Sequence, residues 1–223
     1  NDLCGVDIQL KSLRFGYTEY WTEFIVPRDS DANDIFDFAG ATWAYPDATS
    51  TSGFLVPSGL FQRFGIKVGD SFEAGGHSAT VRAIYNGEAG FGTVFYSPFI
   101  DGEGNVLWDG SAANADVPEE NVELCVLDAD GQIDCDGVFP RDARRNIREE
   151  NPDVIQKVKI VTLSDPIPND GMAFGPEFPE DLKAEIVAAM VAFAENDPDT
   201  FEVAFDAYSW SGVAPTEDAE FDS

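Results

Sequence analysis

The stretch TWAYPDATSTSGFLVPSGL, residues 42–60, decides the fold of this 223-residue chain. A strand is predicted at 42–45, followed by a turn of small residues. A helix then runs from about residue 53 to 64, where Gly65 ends it. A strand that passes through a tight turn into a helix is the repeating unit of an α/β protein.

The turn itself contains three consecutive hydroxyl residues, Ser50, Thr51 and Ser52, followed by Gly53. Free amide groups at a helix start carry partial positive charge and bind anions. The hydroxyls add donors, and Gly53 would let a ligand approach the backbone. Plain N-capping needs only one such residue, so three in a row favour an anion-binding turn. It is not a P-loop, because no Gly-Lys-Ser/Thr follows.

A second turn of this kind places His77, the only histidine, after Gly75 and Gly76. It lies between a predicted strand at 70–74 and a predicted helix at 78–85. A lone histidine is usually structural, but at a helix start it can donate a hydrogen bond to an anion. Both turns lie at the carboxyl ends of their strands, where open α/β sheets bind ligands. This shared position favours a function for both.

The rest of the chain continues the alternation of strands and helices. Strands are predicted at 20–26, 90–96 and 158–163, and helices at 141–150 and from about 179 to 196. Residues 98–138 are rich in Gly and Asp and form an insertion. We expect an α/β protein with a largely parallel sheet. Asp170, after the buried strand at 158–163, either orients the site or forms an Asx turn.

A hairpin inside the insertion carries two of the three cysteines. The turn signal DADG at 128–131 joins two apolar-rich arms. If the hairpin is centred on Asp130, Cys125 and Cys135 fall opposite each other within bridging range. We expect a disulfide, which favours an exported protein, with a pair of reduced thiols as the alternative. Cys4 is left without an assigned partner.

Charge excludes several function classes. The chain has 13 Lys and Arg against 42 Asp and Glu, a net charge of -29. A chain with so few positive charges cannot neutralise a nucleic-acid backbone, and its negative charge opposes docking on an anionic membrane. Half of the eight arginines, at 141, 144, 145 and 148, share one face of a predicted helix, where they pair with the acidic surface or dock a partner protein. The acidic hairpin at 128–136 leaves calcium binding open, although a solvated turn is the simpler interpretation and no metal site is predicted.

Three stretches together resemble the solute-binding proteins of phosphate, phosphite and phosphonate ABC transporters. They are DFAGATWAYPDATSTSGFLVP at 37–57, GGHSATVRAIYNGEAGFGTVF at 75–95 and DPIPNDGMAFGPEFPEDLKAEI at 165–186. The resemblance implies a type II periplasmic-binding fold, two α/β lobes joined by two crossing segments that act as a hinge. It implies lobe two at 21–165 and lobe one at 1–20 and 166–223, with the first part of lobe one missing.

The resemblance also implies a ligand set in the cleft between the lobes. Ser50, Thr51, Ser52 and His77 would bind the oxyanion from one lobe, with Tyr20 near the first crossing and Asp170 at the return crossing. Gly53, Tyr96 and Ser97 are weaker candidates. Family members that hold an aminoalkylphosphonate use an extra carboxylate near the end of the strand after the histidine helix. Tyr96 and Ser97 occupy that region here, which argues against an amine-bearing ligand.

The sequence therefore predicts a monomeric, non-catalytic protein without a cofactor that delivers a phosphate-like oxyanion to an ABC permease. We expect it in the periplasm or outside the cell, with a lipid anchor through a missing N-terminal segment as one option. Two alternatives remain open. One is a hydrolase of phosphate or acyl esters using Ser52, His77 and Asp170, although Ser52 lies in no Gly-x-Ser-x-Gly elbow. The other is a calcium-dependent surface module built on the insertion.

Overall fold

A computed structural model describes residues 5–205 and 209–221 of the chain, so Cys4 lies outside the described residues. The chain divides into two compact units. Unit 1 consists of Asn1–Tyr20 and Pro166–Ser223, and unit 2 consists of Trp21–Asp165.

Strands and helices alternate along much of the chain. The strands are β1 (Asp7–Leu13), β2 (Glu19–Pro27), β3 (Trp43–Tyr45), β4 (Ser71–Glu73), β5 (Phe91–Tyr96), β6 (Cys125–Leu127), β7 (Ile133–Cys135), β8 (Val158–Leu163), β9 (Ile167–Pro168), β10 (Gly171–Phe174) and β11 (Gly212–Pro215). The α-helices are α1 (Val56–Phe64), α2 (His77–Tyr85), α3 (Glu119–Val122), α4 (Val154–Lys157), α5 (Glu180–Asn196) and α6 (Pro198–Phe205). A π-helical turn, Thr51–Leu55, precedes α1, and 3-10 turns form at Ile35–Phe38, Ala112–Asn114, Ala143–Ile147 and Asp218–Phe221.

The main sheet of unit 2 is mixed, with strand order β4-β3-β5-β2-β8. β3 is parallel to β4 and β5, whereas β2 is antiparallel to both β5 and β8. The sequence predicted a largely parallel sheet, and this is wrong for half of the strand pairings, because both pairings of β2 along this order are antiparallel. Helix α1 links β3 to β4, and α2 links β4 to β5. Each helix returns the chain to the end of the sheet at which the preceding strand began, so the linked strands run parallel. No such crossover fixes the direction of β2.

The core of unit 2 lies on both faces of β2, which is why Trp21 through Val26 are all buried. One face packs Phe24 and Val26 against aromatic rings; their partners are Phe38, Trp43, Phe61 and Phe91. The other face carries Trp21, Glu23 and Ile25, because successive side chains of a strand alternate. Here α2 packs on β5 and on the 3-10 turn Ala143–Ile147.

Buried charges occupy this second face. Arg144, 1% exposed, donates to both carboxylate oxygens of Asp142 at 2.9 and 3.0 Å, to Asp116 at 2.7 Å and to the Val158 carbonyl at 3.0 Å. The predicted helix at 141–150 is wrong, since only a 3-10 turn forms there. The predicted arginine face is wrong at Arg144, because Asp142 caps the turn and draws that guanidinium into the core.

The insertion is packed into unit 2 and ends in the predicted hairpin. Cys125 and Cys135 are paired residues of β6 and β7, and a disulfide joins them, which confirms that prediction. Asp128 accepts the amides of Asp130 and Gln132 at 2.9 and 2.7 Å, which closes the tip. The hairpin is therefore held at both ends.

Unit 1 has a three-stranded antiparallel sheet with the order β10-β1-β11. None of these strands was predicted, because the strands that pair with one another are distant in sequence. Helix α5 forms where the sequence predicted it, although none of its residues is fully buried. Among the described residues, no helix is long and apolar enough to span a membrane.

Candidate functional site

The turn before α1 is organised by Ser50. Its Oγ accepts the Gly53 amide at 3.1 Å, and its carbonyl accepts the amides of Phe54 and Leu55 at 2.9 and 3.0 Å. Within the described residues, the amides of Thr51 and Ser52 have no acceptor. The helix start thus presents two consecutive free N–H groups, the arrangement that binds an anion.

Buried hydroxyls from the sheet hold this turn in place. Thr22 Oγ1 donates to the Ser52 carbonyl at 2.8 Å, and Thr93 Oγ1 donates to the Gly53 carbonyl at 2.5 Å. Trp43 Nε1 in turn donates to Thr93 Oγ1 at 2.8 Å. Because both carbonyls are fixed onto the sheet, the turn is preorganised and does not need to be ordered by a ligand.

Gly53 is required by packing. A Cβ there would lie 2.5 Å from Pro46 Cγ and 2.8 Å from Ser50 Oγ, closer than real Cβ atoms approach other atoms. The Gly53 amide is already donated to Ser50. The space that a Cβ would need at Gly53 is therefore filled by Pro46 and Ser50.

Pro46 also joins the two turns that the sequence singled out. Its carbonyl accepts the amides of both Gly75 and Gly76, at 2.9 and 3.0 Å, and the Ala74 amide donates to the Tyr45 carbonyl at 2.8 Å. These bonds fasten the turn after β4 to the turn after β3. The structure thus brings the hydroxyl turn and the histidine turn side by side at one edge of the unit 2 sheet.

His77 is the first residue of α2 and is half-buried. Its ring packs edge-on against Phe95, with 5.0 Å between centroids, and its Nδ1 is buried without a hydrogen-bond partner among the described residues. Burial lowers the pKa of His77 to about 4, although the nearby Asp47 carboxylate opposes the shift. The imidazole is therefore neutral near pH 7.

Asp47 was missed in the sequence. It follows the strand–turn junction at Pro46 and accepts the amide and hydroxyl of Thr49 at 2.9 and 2.5 Å. The Thr49 hydroxyl, more than any other group, lowers the pKa of Asp47. An aspartate in PDAT at 46–49 looks like an ordinary turn residue, so only the electrostatic contact with His77 reveals its place beside the site.

Two of the predicted ligands belong to unit 1. Tyr20 lies in β2, paired with Ile167 of β9. Asp170 follows β9, and its Oδ2 accepts hydrogen bonds from the Arg14 guanidinium and, at 3.2 Å, from Trp210 Nε1. Asp170 is thus held by side chains of its own unit.

Tyr96 and Ser97 lie at the end of β5. Tyr96 is fully buried beside Trp21 and Trp108, with ring centroids 6.1 and 5.3 Å away, and its hydroxyl has no partner in the described part of the chain. Since side chains alternate along a strand, Tyr96 faces the opposite side of the sheet from Thr93. Ser97 is half-buried.

The geometry gives no support to either alternative function. No hydrogen bond links Ser52 to His77 in the described residues, and the Asp170 carboxylate is paired with Arg14. The elements of a hydrolytic triad are therefore not connected. Nor do the described residues contain a group of three or more His, Cys, Asp or Glu residues arranged to hold a metal ion.

Solved structures with a similar fold come from several bacteria. A Xanthomonas citri protein bound to chloride ion matches with a TM-score of 0.65 and 15% identity over 96% of this chain and 66% of that one. A binding protein component of an ABC phosphonate transporter from Pseudomonas aeruginosa matches at 0.59 and 16%, over 99% and 60%. PhnD1 from Prochlorococcus marinus, in complex with methylphosphonate, matches at 0.56 and 12%, over 97% and 68%.

These similarities confirm the expected α/β, type II periplasmic-binding-protein-like fold. The chain spans less than two thirds of the length of the first two structures. No curated protein matches it.

The family assignment comes from the sequence itself. Residues 5–221 match the family described as "ABC transporter, phosphonate, periplasmic substrate-binding protein". The match covers nearly the whole chain and agrees with the fold. It is a family of substrate-binding proteins and not of enzymes, as the sequence predicted. The chain belongs to the periplasmic substrate-binding proteins of phosphonate ABC transporters.

Proposed function

We propose that the chain binds a phosphate-like oxyanion, namely phosphate, phosphite or a small phosphonate, as the solute-binding component of an ABC transporter. The observation that carries this proposal is the pair of turns fastened together at the Pro46 carbonyl. They collect the free amides of Thr51 and Ser52, the adjacent hydroxyls and His77 at one edge of the unit 2 sheet.

The donors suit an oxyanion because they are neutral and directional. A tetrahedral oxyanion offers several oxygens, and the amides and hydroxyls of Thr51 and Ser52 can each donate to one. Neutral His77 supplies one further N–H. Charge is stabilised by dipoles at short range, so a chain with a net charge of -29 can still bind an anion.

Not every predicted ligand contributes equally. Ser50 Oγ accepts the Gly53 amide and so caps the helix, which leaves the Ser50 hydroxyl proton available for the ligand. The Gly53 amide, by contrast, already donates to Ser50. We propose that Tyr20 and Asp170 act from unit 1, where the Asp170 carboxylate would accept a hydrogen bond from a protonated ligand oxygen.

The ligand class is inferred from the family and from the residues at the end of β5. PhnD1, which has a similar fold, was solved with methylphosphonate. Tyr96 and Ser97 supply no carboxylate for an amine, so we propose a ligand without an amino group. Delivery to permease subunits, a monomeric state and a location in the periplasm or outside the cell complete the proposal.

Calorimetric titration with methylphosphonate, phosphite and phosphate tests it. Ser52→Ala removes one donor to a charged ligand and should weaken binding about tenfold. Ser58→Ala, which removes a hydroxyl from α1 just beyond the turn, is the matched control and should leave affinity unchanged. Circular dichroism verifies that both variants are folded. Equal affinities for Ser52→Ala and Ser58→Ala would overturn the assignment.

A further inference from the structure

Thr22 lies close to both places where the chain passes between its two units. Unit 2 begins at Trp21 and ends at Asp165, so Thr22 is its second residue and Ser164 its second-to-last. Thr22 is fully buried in β2. Its side chain is bonded to the turn before α1, and its backbone is bonded to Ser164. These two sets of bonds give Thr22 a position that no other candidate residue shares.

The Thr22 hydroxyl replaces a donor that the helix itself lacks. In a π-helical turn a carbonyl accepts the amide five residues further on, and the Val56 amide accordingly donates to the Thr51 carbonyl. The donor for the Ser52 carbonyl would then be Pro57, which has no N–H. Thr22 Oγ1 donates to that carbonyl at 2.8 Å instead. Because Ser52 is buried, the loss of this bond would leave a carbonyl unpaired away from water, which is unfavourable.

The backbone of Thr22 is bonded to Ser164 in both directions. The Ser164 amide donates to the Thr22 carbonyl at 3.0 Å, and the Thr22 amide donates to Ser164 Oγ at 3.0 Å. Ser164 Oγ in turn donates to the Asp165 carbonyl at 2.6 Å. The Ser164 side chain thus extends the pairing of β2 with β8 to the point where the chain leaves unit 2.

These bonds form one continuous series from the Asp165 carbonyl to the Ser52 carbonyl. Thr93 holds the next carbonyl of the turn, that of Gly53, but its own hydroxyl oxygen accepts a bond from Trp43 in the core. Of the two threonines that fix the turn, Thr22 is therefore the one that is also bonded beside a crossing between the units.

We infer that Thr22 is a positioning residue of the proposed anion site, which fixes the Ser52 carbonyl and links ligand binding at the turn to the backbone at Ser164. The inference rests on the proposed function, since it requires a ligand at Thr51 and Ser52. The Thr22 hydroxyl proton is already donated to the protein, so Thr22 acts through the turn and not as a ligand. An anion bonded to the turn pulls on the segment that Thr22 holds, and Thr22 passes this displacement to Ser164.

Calorimetric titration with methylphosphonate measures the positioning. Thr22→Val keeps the shape of the side chain and removes the hydroxyl, so affinity should fall by about threefold to tenfold, the size of one net hydrogen bond. Thr22→Ser retains the hydroxyl and should bind close to the wild type. The matched control is Thr162→Val, the same substitution on the neighbouring strand β8, which should leave affinity unchanged. Melting temperatures establish that each variant is folded.

An amide NMR titration separates positioning from a merely structural role. In the wild type, methylphosphonate should shift the amides of Thr22 and Ser164 as well as those of the turn, although by less. In Thr22→Val at saturating methylphosphonate, the turn should still respond, whereas the Ser164 shift should be lost. A loss of stability alone would lower the melting temperature and leave the Ser164 shift in place.

The outcomes distinguish this inference from the proposed function. If Ser52→Ala weakens binding but Thr22→Val binds like Thr162→Val, the inference is overturned and the proposed function stands. A Ser164 shift that persists in Thr22→Val also overturns it. If the wild type binds none of methylphosphonate, phosphite and phosphate, both are overturned.

Ser164→Ala tests the same link from the other end, in case Thr22→Val does not fold. Ser164 is half-buried, and the substitution removes the acceptor of the Thr22 amide. Affinity for methylphosphonate should fall in the same direction as in Thr22→Val. An affinity equal to that of the wild type would overturn the inference.

Discussion

Glu23 makes the stability of unit 2 depend on pH. Its side chain is fully buried in β2. Burial raises the pKa of Glu23 well above its ordinary value. The negative charges of Asp142 and Asp116 raise it further, whereas Arg144 and the Ala143 amide oppose the shift. At pH values below this raised pKa, the folded protein holds Glu23 as a neutral acid.

The sign and size of the effect follow from proton linkage. Above about pH 4.5 the unfolded chain releases the Glu23 proton while the folded chain keeps it, so unfolding releases one proton. Rising pH then lowers the free energy of unfolding by about 1.4 kcal/mol per pH unit, until the pKa of the folded state is reached. Glu23→Gln keeps the shape of the neutral acid and cannot ionise. The difference in free energy of unfolding between Glu23→Gln and the wild type should therefore grow, in favour of the variant, by about 1.4 kcal/mol for each unit of rising pH.

Urea unfolding at pH 5.5, 6.5 and 7.5 measures this difference. Glu73→Gln, which replaces an exposed glutamate of β4, is the control for the substitution itself and is measured at the same three pH values. If the difference in free energy of unfolding between Glu23→Gln and the wild type stays constant from pH 5.5 to 7.5, the reasoning is refuted. It would mean that Glu23 is ionised in the folded protein and is stabilised by its neighbours.

Three further predictions concern the candidate site and the hairpin. Gly53→Ala should destabilise the protein by about 1–3 kcal/mol, because the new Cβ would meet the Pro46 ring. Gly59→Ala, which has open space around it on α1, should stabilise the protein by about 0.5–1 kcal/mol. If urea unfolding ranks the two variants the other way, the packing argument is contradicted. The proton NMR signal of His77 should stay flat from pH 8 to about 5.5 and titrate with a pKa of about 4, and a midpoint near 6.5 would show that the ring is solvated. Replacing Cys125 and Cys135 together by Ser should cost about 2–3 kcal/mol, since the bridge closes a short loop, and an unchanged urea midpoint would show that the hairpin holds without it.

Local signals were sufficient for the elements that build the site. The strand at 42–45, the hydroxyl turn and the helix up to Gly65 depend on neighbours a few residues apart, and each was predicted within a few residues. The same holds for β8 and for the disulfide pair, because a tight turn fixes the register of a hairpin.

Long-range features could not be predicted in the same way. In YWTEFIV, at 20–26, Glu23 looks like the outward residue of a half-exposed strand. Its burial depends on Asp142 and Arg144, more than a hundred residues away. Pro46 gave no signal that its carbonyl joins two turns, since the glycines that donate to it come after a second strand. Strand direction at β2 likewise depends on pairing with β5 and β8.

The most direct test of the central claim is an amide NMR titration of the ¹⁵N-labelled chain with methylphosphonate. If the turn at Thr51 and Ser52 binds the ligand, their two amide resonances should show the largest shifts, with Gly53, already bonded to Ser50, moving less. Largest shifts in another part of the chain, or none at Thr51 and Ser52, would contradict the proposed site.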